Sequence, residues 1–597
     1  MSAYNAPIRD MIFAMKTVGG FDRVAALPGH EEVSEDLVEA IFEEARKFAS
    51  DVLAPLNHPG DKQGCVCKDG AVTTPDGVKE AFAAFCENGW HAMPAPLDYG
   101  GHGLPSLVST PVLEMWTGAN LALSLCQMLT LGAISAINHH GSPAQKELYL
   151  PKMASGTWTG TMNLTEPQAG SDLAAVRTKA VPDGDHYRIT GTKIFITWGE
   201  NDVAENIIHL VLARLPGAPP GVKGISLFIV PKFLVNADAS LGARNDLVCA
   251  SIEHKLGIHG SPTAVMSFGD KGGAVGFLVG EANRGLEYMF TMMNHARLNV
   301  GLEGVAIAER AFQQARDYAF QRIQGRPIGA ESGAPIAYHP DVKRMLLDMK
   351  AKVEAMRALA YFTAGETDVA HGSPDKAEAA TSQAMVDLLV PVVKGWCTES
   401  AVEIASTGVQ VHGGMGFIEE TGAAQHFRDA RIAPIYEGTT AIQANDLVGR
   451  KIARDKGAAA ERLIEAVRAT AAELEIASDP EIVALGQALT APAARLQYAV
   501  EWVVANHGSA PAATAAAGVP LIHQFGITIG FWLLARQAAW ASDLGNENGA
   551  DLAFLNGKIA LARHFAGHVL PHAEGFFRAA TEGSASVAAF DAAGIQR

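Results

Sequence analysis

Cysteine is scarce in this sequence, and the few cysteines are scattered. Six occur among 597 residues, at positions 65, 67, 86, 126, 249 and 397, which is too few and too dispersed for a disulfide framework. Cys65 and Cys67 lack the two-residue gap of a zinc or redox pair. His139 and His140 have no carboxylate or cysteine at ligand spacing and are expected to end a helix before Gly141. The sequence therefore predicts no metal site and a reducing compartment, the cytoplasm.

Positive charge is also scarce. Lysine and arginine number 47 against 64 aspartates and glutamates, for a formal net charge of −17. Nucleic acids and anionic membranes are bound by basic faces, so neither partner is expected. The N-terminal residues lack the apolar segment of a secretion signal. The longest apolar run, 519–534, is interrupted by His523 and Gln524, which favours a buried helix over an integral membrane span.

The chain is longer than a single core usually supports, so two or more domains are expected. Helical periodicity runs from residue 34 to about 150, and short β-type runs separated by turn signals follow from 157 to about 279. Long helical patterns return at Gly285 and continue, after 455, into an alanine-rich region. The predicted fold is mostly α with a central β-domain. The predicted domains are 1–156, 157–280, 281–455 and 456–597.

The segment 427–443 carries the main candidate for chemistry. It predicts a helix end, a strand-like connector carrying Pro434, and a new helix opened by Gly438-Thr439-Thr440. Glu437 lies just before that helix. The helix dipole stabilises the charged form of such a carboxylate, whereas apolar neighbours raise its pKa. Glu437 is therefore either a helix cap or a base whose pKa is set by opposing effects.

Two segments of the β-region could line a ligand site. Residues 161–172 combine small residues, hydroxyls and free N–H groups, which can lie against a planar ring and donate to carbonyl or phosphate oxygens. Residues 193–197 place Phe195 and Thr197 on one face of a strand. Each segment could equally be ordinary, the first as a connecting loop and the second as a strand with one core aromatic.

Together with Arg297, Arg322, the run 412–417 and the run 436–439, and in this order, these segments resemble the acyl-CoA dehydrogenase family from about residue 34 to 451. The resemblance implies an N-terminal helical domain, a middle β-barrel and a C-terminal four-helix bundle, with an additional helical region after 455. It implies a FAD-dependent enzyme that forms a 2,3-double bond in an acyl-CoA thioester. In that reaction Glu437 removes the α-proton and N5 of FAD accepts the β-hydride, because no side chain accepts a hydride.

The resemblance also implies roles for individual residues. The flavin cradle would contain Met162, Leu164, Thr165, Gly170, Ser171, Phe195 and Thr197. Contacts to the FAD of a neighbouring subunit would come from Arg322, Gln324, Gln410, His412, Gly413 and Gly414, and phosphate would meet the helix start at Thr439 and Thr440. The acyl-CoA substrate would meet Ser171, Asn294, Arg297 and Gly438. Many family members have aspartate at Asn294 and tryptophan at Phe195, and a Phe-Gly pair after Arg322.

A narrower resemblance lies in residues 54–57, 60–65 and 253–263 and in the C-terminal extension. These features resemble a long bacterial subgroup whose members act on 3-(methylthio)propanoyl-CoA or on long-chain acyl-CoA. We expect the methylthio substrate, an electron-transfer flavoprotein as acceptor, and a homo-oligomer that is a dimer or a tetramer. The alternatives are a medium- or long-chain substrate, an oxidase that uses O2, and a non-catalytic DNA-binding relative, which the acidic balance disfavours.

Overall fold

The computed structural model describes residues 4–596, apart from the side chains of residues 294 and 295. Its contacts divide the chain into two compact units. The unit called here the helical unit comprises Met1–Arg46, Ser106–Gly118 and Val300–Arg597, and the β-containing unit comprises Lys47–Pro105 and Ala119–Asn299. The four predicted domain ranges stay a prediction.

Helices dominate the chain before and after the predicted β-region. The first eight are α1 (Ile8–Thr17), α2 (Phe21–Ala25), α3 (Glu35–Phe48), α4 (Ala54–Gln63), α5 (Val78–Glu87), α6 (Ser106–Ala119), α7 (Leu121–His140) and α8 (Pro143–Ala154). The next five are α9 (Gly285–Gln321), α10 (Pro340–Gly372), α11 (Lys376–His412), α12 (Ala423–Ala430) and α13 (Thr440–Asn445). The C-terminal region adds α14 (Ala458–Glu475), α15 (Pro480–Asn506), α16 (Pro511–Leu544), α17 (Leu552–His568), α18 (His572–Arg578) and α19 (Ser584–Ala589). The end of α7 at His140 confirms the predicted helix end.

The chain has twelve strands among the described residues, and all but the first two lie in the predicted β-region. They are β1 (Val66–Lys68), β2 (Ala71–Thr73), β3 (Trp158–Asn163), β4 (Lys179–Asp183), β5 (His186–Thr197), β6 (Asn206–Arg214), β7 (Ile225–Pro231), β8 (Phe233–Val235), β9 (Leu241–Arg244), β10 (Leu247–Ile252), β11 (Thr263–Phe268) and β12 (Ala274–Leu278). The central β-domain is thus confirmed.

The main sheet of the β-containing unit closes on itself. Its strands run β10-β11-β5-β12-β7-β6-β3, and β4 pairs with both β5 and β6. The strands β5, β12, β7, β6 and β4 therefore form a ring, which is the barrel that the resemblance implies. Val211 and Phe228 pair across β6 and β7 and lie in its buried apolar core. The barrel gives the loops at its edges a rigid support.

A hairpin interrupts the first helical region, where the periodicity predicts helices alone. Strands β1 and β2 pair antiparallel, with Lys68 opposite Ala71. The two residues between them, Asp69 and Gly70, have φ of 52° and 78°. Asp-Gly is a favoured pair for a two-residue hairpin turn with positive φ at both positions. The Asp-Gly pair is therefore the signal that predicts this hairpin, and helical periodicity cannot detect it.

The C-terminal region shares its core with the bundle of the helical unit. Helix α16 contacts α10 and α11, and a Cβ built on Gly526 would come within 2.1 Å of the Trp396 side chain on α11. Both α7 and α16 are long and apolar enough to cross a membrane, but 78% and 83% of their most apolar windows are buried within the protein. The run 519–534 lies in α16, so the prediction of a buried helix is confirmed.

A network of buried charges also joins helices of this unit. Arg357 on α10 lies 2.7 Å from Glu114 on α6 and 2.8 Å from Glu309 on α9. Lys558 on α17 lies 2.8 Å from Glu354 on α10. Each of these side chains is almost completely buried. Because an unpaired charge is costly in such surroundings, each partner depends on the others.

Candidate active site

Glu437 lies in a turn between α12 and α13. The N–H groups of Ile435 and Tyr436 both donate to the carbonyl of Ile432, at 2.8 and 3.2 Å. Residues 431–438 therefore form turns and no strand. The prediction of a strand-like connector around Pro434 is wrong, because apolar residues alone do not provide the neighbouring strand that a ladder requires.

Helix α13 begins at Thr440, as the Gly-Thr-Thr sequence predicts. Its N-cap is Thr439, whose hydroxyl accepts a hydrogen bond from the N–H of Ile442 at 3.3 Å. The Thr440 hydroxyl donates to Oε1 of Glu399 at 2.6 Å. Because Thr439 occupies the cap position, Glu437 is not the N-cap of this helix. The predicted roles of Thr439 and Thr440 in cofactor binding stay predictions.

The backbone at Glu437 is in an unusual conformation. Its φ is 53°, and the following Gly438 has φ of 89°. A positive φ is uncommon for a residue with a side chain, and such conformations persist where surrounding contacts maintain them. The Nε2 of Gln443 donates to the carbonyls of Glu437 and Gly438 at 3.3 and 3.1 Å. The α13 helix thus holds the Glu437 turn from one side.

A second carboxyl group, that of Glu303 on α9, also contacts the turn. Its Oε2 accepts a hydrogen bond from the hydroxyl of Tyr436, the residue before Glu437. Glu303 is 3% exposed, and its Oε1 has no hydrogen-bond partner among the described residues. Burial raises the pKa of Glu303 to about 8. The charge of Glu437 also raises this pKa, whereas the hydrogen bond from Tyr436 lowers it.

Glu303 is not among the candidate site residues that the sequence identifies. A signal was present, because this glutamate interrupts an apolar stretch of α9 that runs from Val300 to Ala308. A charged residue on the buried face of a helix is rare without a partner or a function. The stretch alone, however, does not identify Tyr436 as the partner.

In the β-containing unit, the predicted flavin loop is attached to strand β5. The N–H of Ile194 donates to the carbonyl of Thr165 at 2.9 Å. The ammonium of Lys193 donates to the carbonyl of Leu164, also at 2.9 Å. The structure therefore brings the loop 164–171 beside the strand that carries Phe195, as the predicted cradle requires.

Glu166 fixes the shape of this loop from within. Its Oε1 accepts from Lys193 at 2.8 Å and from the Thr178 hydroxyl at 2.6 Å, and its Oε2 accepts from the N–H of Arg177 at 2.7 Å. Burial alone would raise the pKa of Glu166, but Lys193 and these hydrogen bonds lower it to about 2. The carboxylate is therefore ionised at neutral pH.

Phe195 is presented towards solvent by a bulge in β5. The register between β11 and β5 shifts between Ala264 and Met266, and Phe195 has φ of 59°. Its ring is 58% exposed, whereas Met162 and Leu164 are nearly buried. A Cβ on Gly170 would meet no atom within 4 Å. An exposed aromatic ring on a rigid strand, with open space beside the neighbouring loop, suits a planar ligand.

Among the remaining candidates of the β-containing unit whose side chains are described, Arg297 is buried and the others are exposed or half-buried. Ser171 is exposed, and Thr165 and Thr197 are half-buried. Arg297 on α9 is 4% exposed, so it is not part of a surface ion pair. Asn294 belongs to the same helix, but its side chain lies outside the described residues.

In the helical unit, the two segments predicted to reach a neighbouring subunit lie together. The rings of Tyr318 and His412 stack with centroids 4.4 Å apart, and the N–H of Arg322 donates to the carbonyl of Tyr318 at 2.8 Å. The end of α9 therefore lies beside the end of α11. Most of the candidates there are exposed, namely Arg322, Gln324, Gln410, Gly413 and Gly414, whereas His412 is buried.

Models of four domains match the chain. They are the acyl-CoA dehydrogenase N-terminal domain at residues 35–157, the middle domain at 161–271, the C-terminal domain at 283–452, and an acetyl-CoA dehydrogenase C-terminal-like domain at 463–591. The chain is 49% identical over 570 residues to 3-methylmercaptopropionyl-CoA dehydrogenase of Ruegeria pomeroyi, covering 95% of this chain and 96% of the relative. It is 36% identical to a butyryl-CoA dehydrogenase of Syntrophomonas wolfei, covering 96% of each.

Solved structures share the architecture. An acyl-CoA dehydrogenase from Bacillus anthracis complexed with FAD has a TM-score of 0.75 at 22% identity, covering 95% of this chain and 91% of that one. Butyryl-CoA dehydrogenase from Megasphaera elsdenii has a TM-score of 0.56 at 26% identity, covering 70% and 98%. Almost the whole of the Megasphaera elsdenii enzyme therefore matches about 70% of this chain, the part that has the family fold without the extension.

Proposed function

Because the chain belongs to the acyl-CoA dehydrogenase family, we propose that it forms a 2,3-double bond in an acyl-CoA thioester with Glu437 as the base. The observation that supports this role is the Glu437 turn. It has a positive-φ conformation and contacts with Gln443 and Glu303, while Thr439 caps the helix. A carboxylate carried on such a turn and not needed as a cap is suited to proton abstraction.

FAD is the proposed cofactor, and when bound it accepts the hydride from the β-carbon. The residues that would hold it are the loop of Thr165, Gly170 and Ser171 and the exposed ring of Phe195. Two observations support the fit of these residues to FAD: the loop is hydrogen-bonded to β5, and the space beside Gly170 is open. Arg322 would bind a diphosphate with its guanidinium, and its exposure at the end of α9 leaves it available to a neighbouring subunit.

The same proposal explains what the turn does to the substrate. Glu437 removes the α-proton, and negative charge then develops on the thioester carbonyl oxygen. Backbone N–H groups of the turn stabilise such charge when they are fixed in advance. The buried Arg297 would hold the CoA portion, with Ser171, Asn294 and Gly438 contributing further contacts.

For the substrate, we propose 3-(methylthio)propanoyl-CoA, which becomes 3-(methylthio)acryloyl-CoA, with an electron-transfer flavoprotein as the acceptor. The support is the 49% identity to the Ruegeria pomeroyi enzyme over almost the whole of both chains. A short linear acyl-CoA is the second candidate, because a butyryl-CoA dehydrogenase is 36% identical over 96% of this chain.

A panel of thioesters tests the substrate. We expect the highest kcat/KM with the methylthio substrate, and lower values with butyryl-CoA and longer acyl-CoAs. Assays in air without an added acceptor separate a dehydrogenase from an oxidase, since an oxidase makes one peroxide for each thioester consumed. Stoichiometric peroxide would contradict the proposed acceptor, and a preference for butyryl-CoA would favour the second candidate.

Glu437→Gln tests the base. The change keeps the shape and the backbone N–H but removes the proton acceptor, so anaerobic flavin reduction by acyl-CoA should slow by about 10²–10⁴-fold. Stopped-flow absorbance measures the reduction, beside the melting temperature. Glu420→Gln is the matched control, because Glu420 is an exposed carboxylate of the same unit. A Glu437→Gln protein that melts early but is reduced at nearly the wild-type rate would contradict the assignment.

A further inference from the structure

The carboxyl of Glu303 has one oxygen bonded and one without a partner. Tyr436 donates to Oε2, and Oε1 has no hydrogen-bond partner among the side chains and backbone groups that the structure describes. The titratable groups that act on it are Tyr436 and Glu437 of the turn and Lys394 of α11. Lys394 is itself completely buried. Glu303 thus combines deep burial with an incomplete set of hydrogen bonds, directly against the turn of the proposed base.

Such a carboxyl is unfavourable as an anion. Removing a carboxylate from water is costly unless hydrogen bonds and opposite charge replace the lost solvation. The Tyr436 hydrogen bond and the Lys394 charge oppose the burial of Glu303, but burial and the nearby Glu437 outweigh them and hold its pKa near 8. At neutral pH Glu303 is therefore mostly uncharged.

We propose that Glu303 is a positioning residue for Glu437, an inference that rests on the proposed function. Its uncharged carboxyl fixes Tyr436, and through Tyr436 it holds the positive-φ turn that orients the base. It also adds no second negative charge beside the base, where negative charge must develop on the substrate.

The consequence is an alkaline decline in the rate of flavin reduction. When Glu303 loses its proton, two carboxylates face the same turn. The second charge disfavours the enolate-like charge of the substrate and loosens the geometry that Tyr436 maintains. The decline should have its midpoint near the Glu303 pKa of about 8.

Three variants separate the two effects. Glu303→Leu removes the hydrogen bond and should slow flavin reduction at pH 7 by about 10–100-fold, as expected for a misplaced base. Glu303→Gln keeps an acceptor for Tyr436 and should restore most of that loss, but without the alkaline decline. Tyr436→Phe removes a hydrogen bond that lowers the Glu303 pKa, so its alkaline decline should move to higher pH.

Infrared difference spectra of the holoenzyme give a readout that does not depend on activity. Between pH 6.5 and 9.5 (both chosen to bracket the midpoint at about 8) the wild type should lose a protonated-carboxyl carbonyl band that Glu303→Gln lacks. If the band is present in Glu303→Gln, or if Glu303→Leu matches the wild type in rate and pH profile, the inference is wrong. Should Glu303→Leu fail to fold, the Glu303→Gln and Tyr436→Phe profiles decide. Failure of the proposed function is distinguishable, because then Glu437→Gln would reduce its flavin normally.

Discussion

Replacing Lys193 by methionine tests whether the predicted flavin loop depends on one buried ion pair. The pKa of Glu166 is lowered from 4.5 to about 2. At about 1.4 kcal/mol per pKa unit, the ionised carboxylate gains roughly 3 kcal/mol, shared between Lys193 and its other donors. Burial lowers the pKa of Lys193 to about 8, which offsets part of this gain. Removing one partner of a buried pair typically costs about 3–5 kcal/mol, since the other charge stays buried. We therefore expect Lys193→Met to lower the free energy of unfolding by about 3 kcal/mol.

Chemical denaturation followed by circular dichroism measures this loss. Lys179→Met is the control, because Lys179 is an exposed lysine of the same sheet. The double variant Glu166→Gln/Lys193→Met should recover part of the loss, since it leaves no unpaired charge. Because the pKa of Glu166 is lower in the folded protein than in the unfolded chain, its ionised carboxylate stabilises the fold above pH 4.5, and this stabilisation is lost as the pH falls towards 2. If Lys193→Met is no less stable than Lys179→Met, the reasoning about this pair is refuted.

Two further changes probe the helical unit. Arg322→Ala should release FAD on gel filtration while acyl-CoA affinity changes little, because a diphosphate is bound best by a guanidinium. If the flavin content is unchanged, Arg322 does not bind FAD and is an ordinary surface residue. Arg357→Met leaves Glu114 and Glu309 buried without the charge that lies 2.7 and 2.8 Å away, so unfolding should cost about 3–5 kcal/mol less. Equal denaturation midpoints for this variant and the wild type would contradict that expectation.

The elements that depend on local sequence could be predicted. Apart from the β1-β2 hairpin, the order of helical and β-regions follows from periodicity, and the start of α13 follows from the Gly-Thr-Thr turn. The apolar run 519–534 is long enough to identify a buried helix. In each case the residues that decide the structure are neighbours in the chain, so the sequence contains the whole signal.

The contacts that depend on distant partners could not be predicted. Glu303 and Tyr436 are separated by 133 residues, and Glu166 and Lys193 by 27. The segments 161–172 and 193–197 were both recognised, yet nothing in either one shows that they are joined by a buried ion pair. The turn at 431–438 illustrates the converse error, since apolar residues without a strand partner closed their own hydrogen bonds.

The packing of α16 against Trp396 determines which surface a shortened chain would expose. A stop after residue 455 would leave a chain of about the length of shorter family members, such as the butyryl-CoA dehydrogenase that matches 70% of this chain. That shorter chain would expose the Trp396 indole and the apolar face of α11 that α16 now covers. Exposed apolar faces of this kind promote aggregation. We therefore expect a chain truncated after residue 455 to aggregate unless polar substitutions replace the apolar residues that it exposes on α10 and α11.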